Sequence, residues 1–305
     1  MIKPTDLRGK RVLISPLNWG MGHVSRCIGI IHNLLVQENE VFIACDESQK
    51  SVFSEYFENI TFIAHAEYPF HFGGKGNFGW DLLSRSNSLR KRLNQEREEV
   101  KGYVGEHKID VVLSDHRYGF ISDEVPSIFI THQVHLPVKW YEKGVGALHT
   151  KLMKRFEFIW VLDDEKSTLA GKLSENCPNN ACYIGYSSRF SVYADEVEKE
   201  YDNVLVASGP SVYAEELIHH FLNRTDEFEN LLVIHSTSMQ MPAGVTAITG
   251  SWKEKDHAIR KAKRIISRSG YSTIMDCQYL NVSGLFIPTQ GQAEQEYLAE
   301  RYLQK

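Results

Sequence analysis

Apolar runs, each about one strand long, alternate with segments whose apolar residues recur every three or four positions, and the alternation continues along most of the chain. A short apolar run with no polar alternation reads as a strand buried on both faces. Such strands interleaved with helices build a parallel sheet covered by helices. The runs are RVLISPL (11–17), VFIACD (41–46), ITFIAH (60–65), IDVVLSD (109–115), SIFITHQ (127–133), EFIWVLDD (157–164) and CYIGY (182–186). Between them, residues 23–36 place Val24, Cys27, Ile28, Ile31, Leu34 and Leu35 at helical spacing, and 84–106 do the same with Leu89, Leu93, Val100 and Val104. The pattern breaks into a polar, acidic stretch at 187–203 and then restarts: strands in NVLVASGP, NLLVIHS, GVTAITG, RIISRSG and SGLFIP, helices over 211–224, 256–264, 271–280 and 293–304. The expectation is two doubly wound α/β domains in series, 1–190 and 200–305, facing each other across a cleft.

Composition narrows the function classes. The net charge of −5 disfavours nucleic acid as a partner. The N-terminal residues are polar, which argues against a secretory leader, and no apolar run approaches the roughly 20 residues of a membrane span. The five cysteines form no C-x-x-C pair, which favours a reducing cytoplasm over a disulfide framework or a zinc site.

In open parallel sheets ligands bind beyond the carboxyl ends of the strands, so the residues there carry the chemistry. NWGMGH (18–23) follows the first strand: Gly20 and Gly22 permit a tight turn and close backbone approach, and His23 at a helix start is a base with a pKa near working pH. Asp115, His116, Arg117, Thr131, His132 and Gln133 crowd two consecutive strand ends. In the second half, Ser208 and Gly209 lie between a strand and a helix, an anion-binding arrangement. ISRSGYSTIMD (266–276) offers Ser267, Arg268, Ser269 and Gly270 in a turn, with Ser272 and Thr273 opening a helix whose N-terminus suits phosphate and Asp276 one turn in, suited to a sugar diol. IPTQGQAEQEY (287–297) opens a further helix with Gln292, Glu294 and Gln295, whose amides can read hydroxyls and phosphates. Each motif also has a bland reading as a turn, a helix cap or a solvated helix start.

Together, GMGHVSR, SRSGYSTIMD and GQAEQEYLA resemble the GT-B glycosyltransferases, and among them glycosyltransferase family 28, which includes the GlcNAc transferase of peptidoglycan lipid synthesis and plant galactolipid synthases. YIGYSSRF resembles the family's interdomain linker and VLVASGP its first diphosphate-facing turn. The resemblance implies two Rossmann-like domains and metal-independent transfer from a UDP-sugar. It places Gly20, Gly22 and His23 on the acceptor side, facing the transferred sugar, with Ser208 and Gly209 at the diphosphate. Ser269, Gly270, Ser272 and Thr273 would form the donor turn, Asp276 would take the ribose hydroxyls, and Gln292 and Gln295 would touch donor sugar or phosphate. The family usually carries Glu where this chain has Asp276, and its members usually continue beyond the glutamine helix. A second domain shortened at its C-terminus is therefore expected.

The expected reaction is attack of a glycan or lipid hydroxyl, deprotonated by His23 or Asp115, on the anomeric carbon of the donor. Arg268 is counted among the donor-binding residues, and His116, Thr131 and His132 among those on the acceptor side. No metal and no cofactor are expected; LDD (162–164) is the nearest thing to a metal motif. Two alternatives remain open: a nucleotide-sugar hydrolase in which His23 activates water, a reading GMGHVSRC also fits because it resembles a UDP-sugar hydrolase of pseudaminic acid synthesis, and a non-catalytic nucleotide-sugar-binding protein. A cytoplasmic location is expected, with peripheral contact at the inner face of the membrane left open by two aromatic, lysine-containing segments, 68–80 and 135–155.

Overall fold

The computed structural model describes residues 1–68, 86–137, 143–223, 228 and 230–303, with backbone alone at 86–89 and 143. Segment 69–80 and residues 138–142, which carry most of the aromatic, lysine-containing sequence considered for a membrane surface, lie outside the described residues.

The chain divides into two compact units, Met1–Ser187 and Ser188–Lys305. The division falls at the start of the acidic stretch, where continuous apolar runs give way to polar sequence.

The first unit contains strands β1 (Arg11–Pro16), β2 (Glu40–Cys45), β3 (Thr61–Ala64), β4 (Val111–Asp115), β5 (Ser127–Thr131), β6 (Phe158–Val161) and β7 (Ala181–Tyr183), and helices α1 (Met21–Val36), α2 (Glu47–Tyr56), α3 (Ser86–His107) and α4 (Lys143–Met153). All pairings are parallel, in the order β3-β2-β1-β4-β5-β6-β7. β4 and β5 are buried along their whole length, as continuous apolar runs require. Leu13, Phe42 and Val112 of the sheet pack with Val100 and Val104 of α3, and α1 buries Val24, Cys27, Ile28, Ile31 and Leu34.

The second unit contains β8 (Asn203–Ala207), α5 (Ser211–Leu222), β9 (Leu231–His235), β10 (Thr246–Ile248), α6 (Trp252–Arg260), β11 (Arg264–Arg268), α7 (Tyr271–Leu280), β12 (Ser283–Ile287) and α8 (Ala293–Leu303). Its parallel sheet runs β10-β9-β8-β11-β12. Leu205, Val233 and Ile266 pack against Ala214, Leu217, Ile218 and Phe221 of α5.

Strand order reverses between β1 and β4 in the first sheet and between β8 and β11 in the second. Each reversal opens a crevice at the strand ends, so the topology singles out those four termini.

Three elements differ from the sequence expectation. α6 starts at Trp252 rather than 256, because Ser251 caps it by accepting from the Glu254 N–H, and it stops at Arg260 before β11 begins. α2 was not anticipated; Asp46 and Gln49 close a capping box that starts it where its weak apolar pattern gives little signal. Within 135–155 the chain forms α4, which buries Val145, His149 and Met153 and leaves Leu148 exposed. Among the described residues, no helix is long and apolar enough to cross a membrane.

Candidate active site

At the β1/β4 reversal, the chain leaves β1 and turns at Gly20 (φ +123°), a conformation that glycine adopts without strain. α1 begins there with no side-chain cap and no acid in its first turn. α2 and α6 are capped by Asp46 and Ser251 and carry Glu47 and Glu254 in their first turns. α1 therefore has neither a capping side chain nor an acid of its own first turn at the positive end of its dipole.

His23 projects from this first turn. Its Nδ1 lies 2.8 Å from Oδ2 of Asp115, the last residue of β4, and 2.9 Å from Nη2 of Arg26, one turn further along α1. Asp115 is fully buried and Arg26 is 2% exposed. Arg26 Nε reaches Oδ1 of Asp115 at 2.9 Å, its Nη2 contacts the same oxygen, and its Nη1 donates to His132 Nδ1 at 3.0 Å. Burial pushes the Asp115 carboxyl up, but Arg26 and His23 outweigh it and hold the group at about 2. Burial and then Arg26 push His23 below its ordinary value, against the pull of Asp115. The result is an ionised carboxylate beside a neutral imidazole at neutral pH.

His116 follows Asp115 in the left-handed region (φ +60°), which histidine enters more readily than most residues other than glycine. Its Nε2 is 2.6 Å from Thr131 Oγ1, and its ring lies 5.6 Å from that of His23 and 6.1 Å from that of His132. The fold thus gathers Gly20, Gly22, His23, Asp115, His116, Thr131 and His132 at one reversal. Arg117, the next residue, turns away: its Nε donates to buried Glu96 at 2.6 Å and its guanidinium stacks 4.6 Å from the Tyr68 ring, pinning α3 to the sheet. Asp163 and Asp164 of LDD accept from the N–H groups of Asp164, Leu169 and Ala170 and of Lys166 and Thr168, so both acids shape the loop after β6. Among the described residues no group of His, Cys, Asp and Glu is placed to hold a metal ion.

The β8/β11 reversal is flanked by two helix N-termini of the same bare kind. α5 starts after Ser208, Gly209 (φ +94°) and Pro210, and α7 starts after Ser269 and Gly270; neither has a side-chain cap or a first-turn acid. Ser208 and Gly209 are exposed, and Ser272 and Thr273 are half-buried in the first turn of α7. The hydroxyl of Ser269 donates to the Gln295 carbonyl at 2.7 Å, Gln295 Oε1 accepts from Thr289 N–H at 2.9 Å, and Gln295 Nε2 donates to Gln292 at 2.7 Å. The serine turn and the glutamine helix are therefore one hydrogen-bonded assembly.

Two of the residues singled out there are already engaged. Arg268 donates to the carbonyls of Pro288 and Tyr213, both at 3.0 Å, and reaches Glu216, which braces β11 against its neighbours. Asp276 is buried, accepts from Ser188 Oγ at 2.6 Å and from Arg189 Nη1, and shares Arg189 with the buried Asp256, 2.6 Å from Nε. Burial raises the Asp276 carboxyl to about 6; Arg189 and Ser188 oppose the rise and Asp256 adds to it.

Residues 195–304 match the family model of the glycosyltransferase family 28 C-terminal domain. Over the whole chain, the fold is similar to the glycotransferase of kitacinnamycin (TM-score 0.65, 13% identity, covering 96% of this chain and 84% of that one). It is also similar to the glycosyltransferase SnogD from Streptomyces nogalater (TM-score 0.64, 14% identity, covering 97% and 86%). A third similar structure is SsfS6 from Streptomyces sp. SF2575, solved with thymidine diphosphate (TM-score 0.61, 13% identity, covering 96% and 86%). Residues 195–304 thus carry a family-28 type domain, and the chain as a whole has the GT-B fold of these glycosyltransferases. Sequence comparison with curated proteins gives no match.

Sequence reasoning passed over two residues that the structure puts beside the candidate site residues. Arg26 was visible as a lone charge on the otherwise apolar buried face of α1, three residues after His23. Arg189 carried no comparable signal: it sits in a short 3-10 turn (Arg189–Val192) capped by Ser188, and only folding brings it to Asp276.

Proposed function

We propose that this protein is a glycosyltransferase that moves a sugar from a nucleotide-sugar donor, a UDP-sugar, to the hydroxyl of a glycan or lipid acceptor without a metal, with His23 as the base. The observation that carries the reading is the contact of His23 Nδ1 with the buried, ionised Asp115. A ring that donates from Nδ1 to this carboxylate presents the Nε2 lone pair, and the carboxylate stabilises the imidazolium formed when Nε2 takes the acceptor proton. The acceptor oxygen then bonds to the anomeric carbon as the bond from that carbon to the diphosphate oxygen breaks. The departing diphosphate gathers negative charge, which the bare N-termini of α5 and α7 are suited to meet. Ser208, Gly209, Ser269, Gly270, Ser272 and Thr273 supply the donor turns, and Gln292 and Gln295 read hydroxyls or phosphate. Support for a nucleoside diphosphate comes from the family-28 domain and from the thymidine diphosphate held by SsfS6. Asp276 reaches a ribose only by giving up Ser188 or Arg189, so its role there requires rearrangement of that cluster.

The test is a screen of UDP- and TDP-sugars by calorimetry with EDTA present, followed by product analysis with and without hydroxyl acceptors. His23→Ala is expected to keep donor binding and lose about 10²–10⁴-fold in kcat. Absence of saturable binding by any nucleotide sugar overturns the reading. Free sugar released at the same rate with or without acceptor replaces the acceptor hydroxyl with water.

A further inference from the structure

His23 Nδ1 has two partners that demand opposite things of it. Asp115 Oδ2, at 2.8 Å, only accepts; Arg26 Nη2, at 2.9 Å, only donates. A neutral imidazole carries either a proton or a lone pair on Nδ1, so it satisfies one of the two at a time. With Asp115 it carries the proton on Nδ1 and shows a lone pair at Nε2. With Arg26 it accepts at Nδ1 and shows an N–H at Nε2.

We propose that Arg26 is a positioning residue that sets how His23 presents itself to substrate, by clamping Asp115 while competing with it for Nδ1. The placement of the guanidinium supports this. Nε and Nη2 grip the carboxylate, and Nη1 donates to His132 Nδ1 at 3.0 Å, so the plane of the group is fixed on both sides and cannot swing away from His23. Ser187 Oγ holds the Arg26 carbonyl at 2.8 Å, and Arg26 is 2% exposed. The groups facing His23 are Arg26 and Cys27 on α1, Asp115 at the end of β4, His116 just after it, and His132 after β5. Arg26 is the permanent cation among them. It neutralises the carboxylate that would otherwise favour an imidazolium, and so keeps His23 available as a free base to lower pH. Its contact with Nδ1 makes the lone-pair face of Nε2 conditional: acceptor binding that draws Nδ1 toward Asp115 selects the base form.

The inference rests on His23 acting as the base, and the test separates the two. The full chain, labelled with ¹⁵N-histidine, is titrated by NMR in the absence of ligand, as wild type and as Arg26→Gln and Arg26→Lys. The wild-type ring is expected to show a substantial Nε2–H population above its titration. In both variants the pattern moves toward Nδ1–H, because neither replacement keeps the fork that grips Asp115 and reaches Nδ1. The titration moves upward in Arg26→Gln and stays lower in Arg26→Lys, which keeps the charge. If the protein turns over a nucleotide sugar, the acid limb of kcat/KM moves up with it, at about a tenfold loss below the limb for each unit moved. An unchanged ring pattern in Arg26→Gln overturns the proposal; should that variant not fold, an unchanged pattern in Arg26→Lys does so. The NMR result is independent of turnover, so absence of transferase activity overturns the reaction and leaves the role of Arg26 decided on its own.

Discussion

Each unit buries an arginine against aspartate, with one member of each pair in the second turn of a helix that follows a sheet strand, and the two clusters behave in opposite ways. Around Arg26 there is one carboxylate, Asp115, with histidines as the other partners; the charges balance, and Asp115 is held at about 2. Around Arg189 there are two carboxylates, Asp256 and Asp276; one negative charge is left over, and Asp276 rises to about 6. Burial pushes both aspartates upward, so burial does not distinguish them. The ratio of cation to carboxylate decides the sign, because an unbalanced charge in a low-dielectric interior is removed most cheaply by a proton. The balanced cluster keeps a permanent charge pair beside a histidine, which suits catalysis. The unbalanced one ties 188–193 to α6 and α7 and titrates.

The largest effect is expected at Asp115→Asn. It leaves Arg26 buried without its counter-charge, a loss of about 3–5 kcal/mol in unfolding free energy together with loss of turnover. Denaturant unfolding measures the first; a loss under 1 kcal/mol breaks the comparison.

The pH dependence comes next. Asp276 has a folded pKa above the unfolded value of about 3.9, so its stabilising contribution is full below that value and is lost as pH rises through about 6. Asp115 has a folded pKa below the unfolded value, so its contribution is full above about 3.9 and is lost only as pH falls toward about 2. Between pH 4 and 6, the difference in stability between wild type and Asp276→Asn should therefore change steadily with pH. A flat difference denies the raised carboxyl.

The smallest effect is expected for Asp276→Asn at pH 7. It removes the surplus charge and leaves Arg189 paired with Asp256, so stability changes by no more than about 1 kcal/mol. A loss comparable to that of Asp115→Asn would make the two clusters equivalent.

Much of this was legible in the chain. β4 and β5 lie where their apolar runs stand, and α1 opens within the glycine turn ahead of His23. The strand-end rule then led to His23, Asp115, His116, Thr131 and His132, which the first unit does bring together at one reversal of strand order. What was illegible has a common cause. α2 and the start of α6 depend on caps more than on apolar period, and Arg268, Arg117 and Asp163 looked available as strand-end residues until their partners, distant in sequence or on loop backbone, were visible.

The sequence by itself determined the architecture, because the period of apolar burial is a local property: it sets strand or helix, and the alternation of the two dictates parallel sheets with loaded strand ends. Only the tertiary structure decided which charges are free and which are spent. Arg26 lies 89 residues from Asp115 and Arg189 lies 87 from Asp276. The energy of a buried charge depends on what stands within a few ångströms of it, and no pattern along the chain records that.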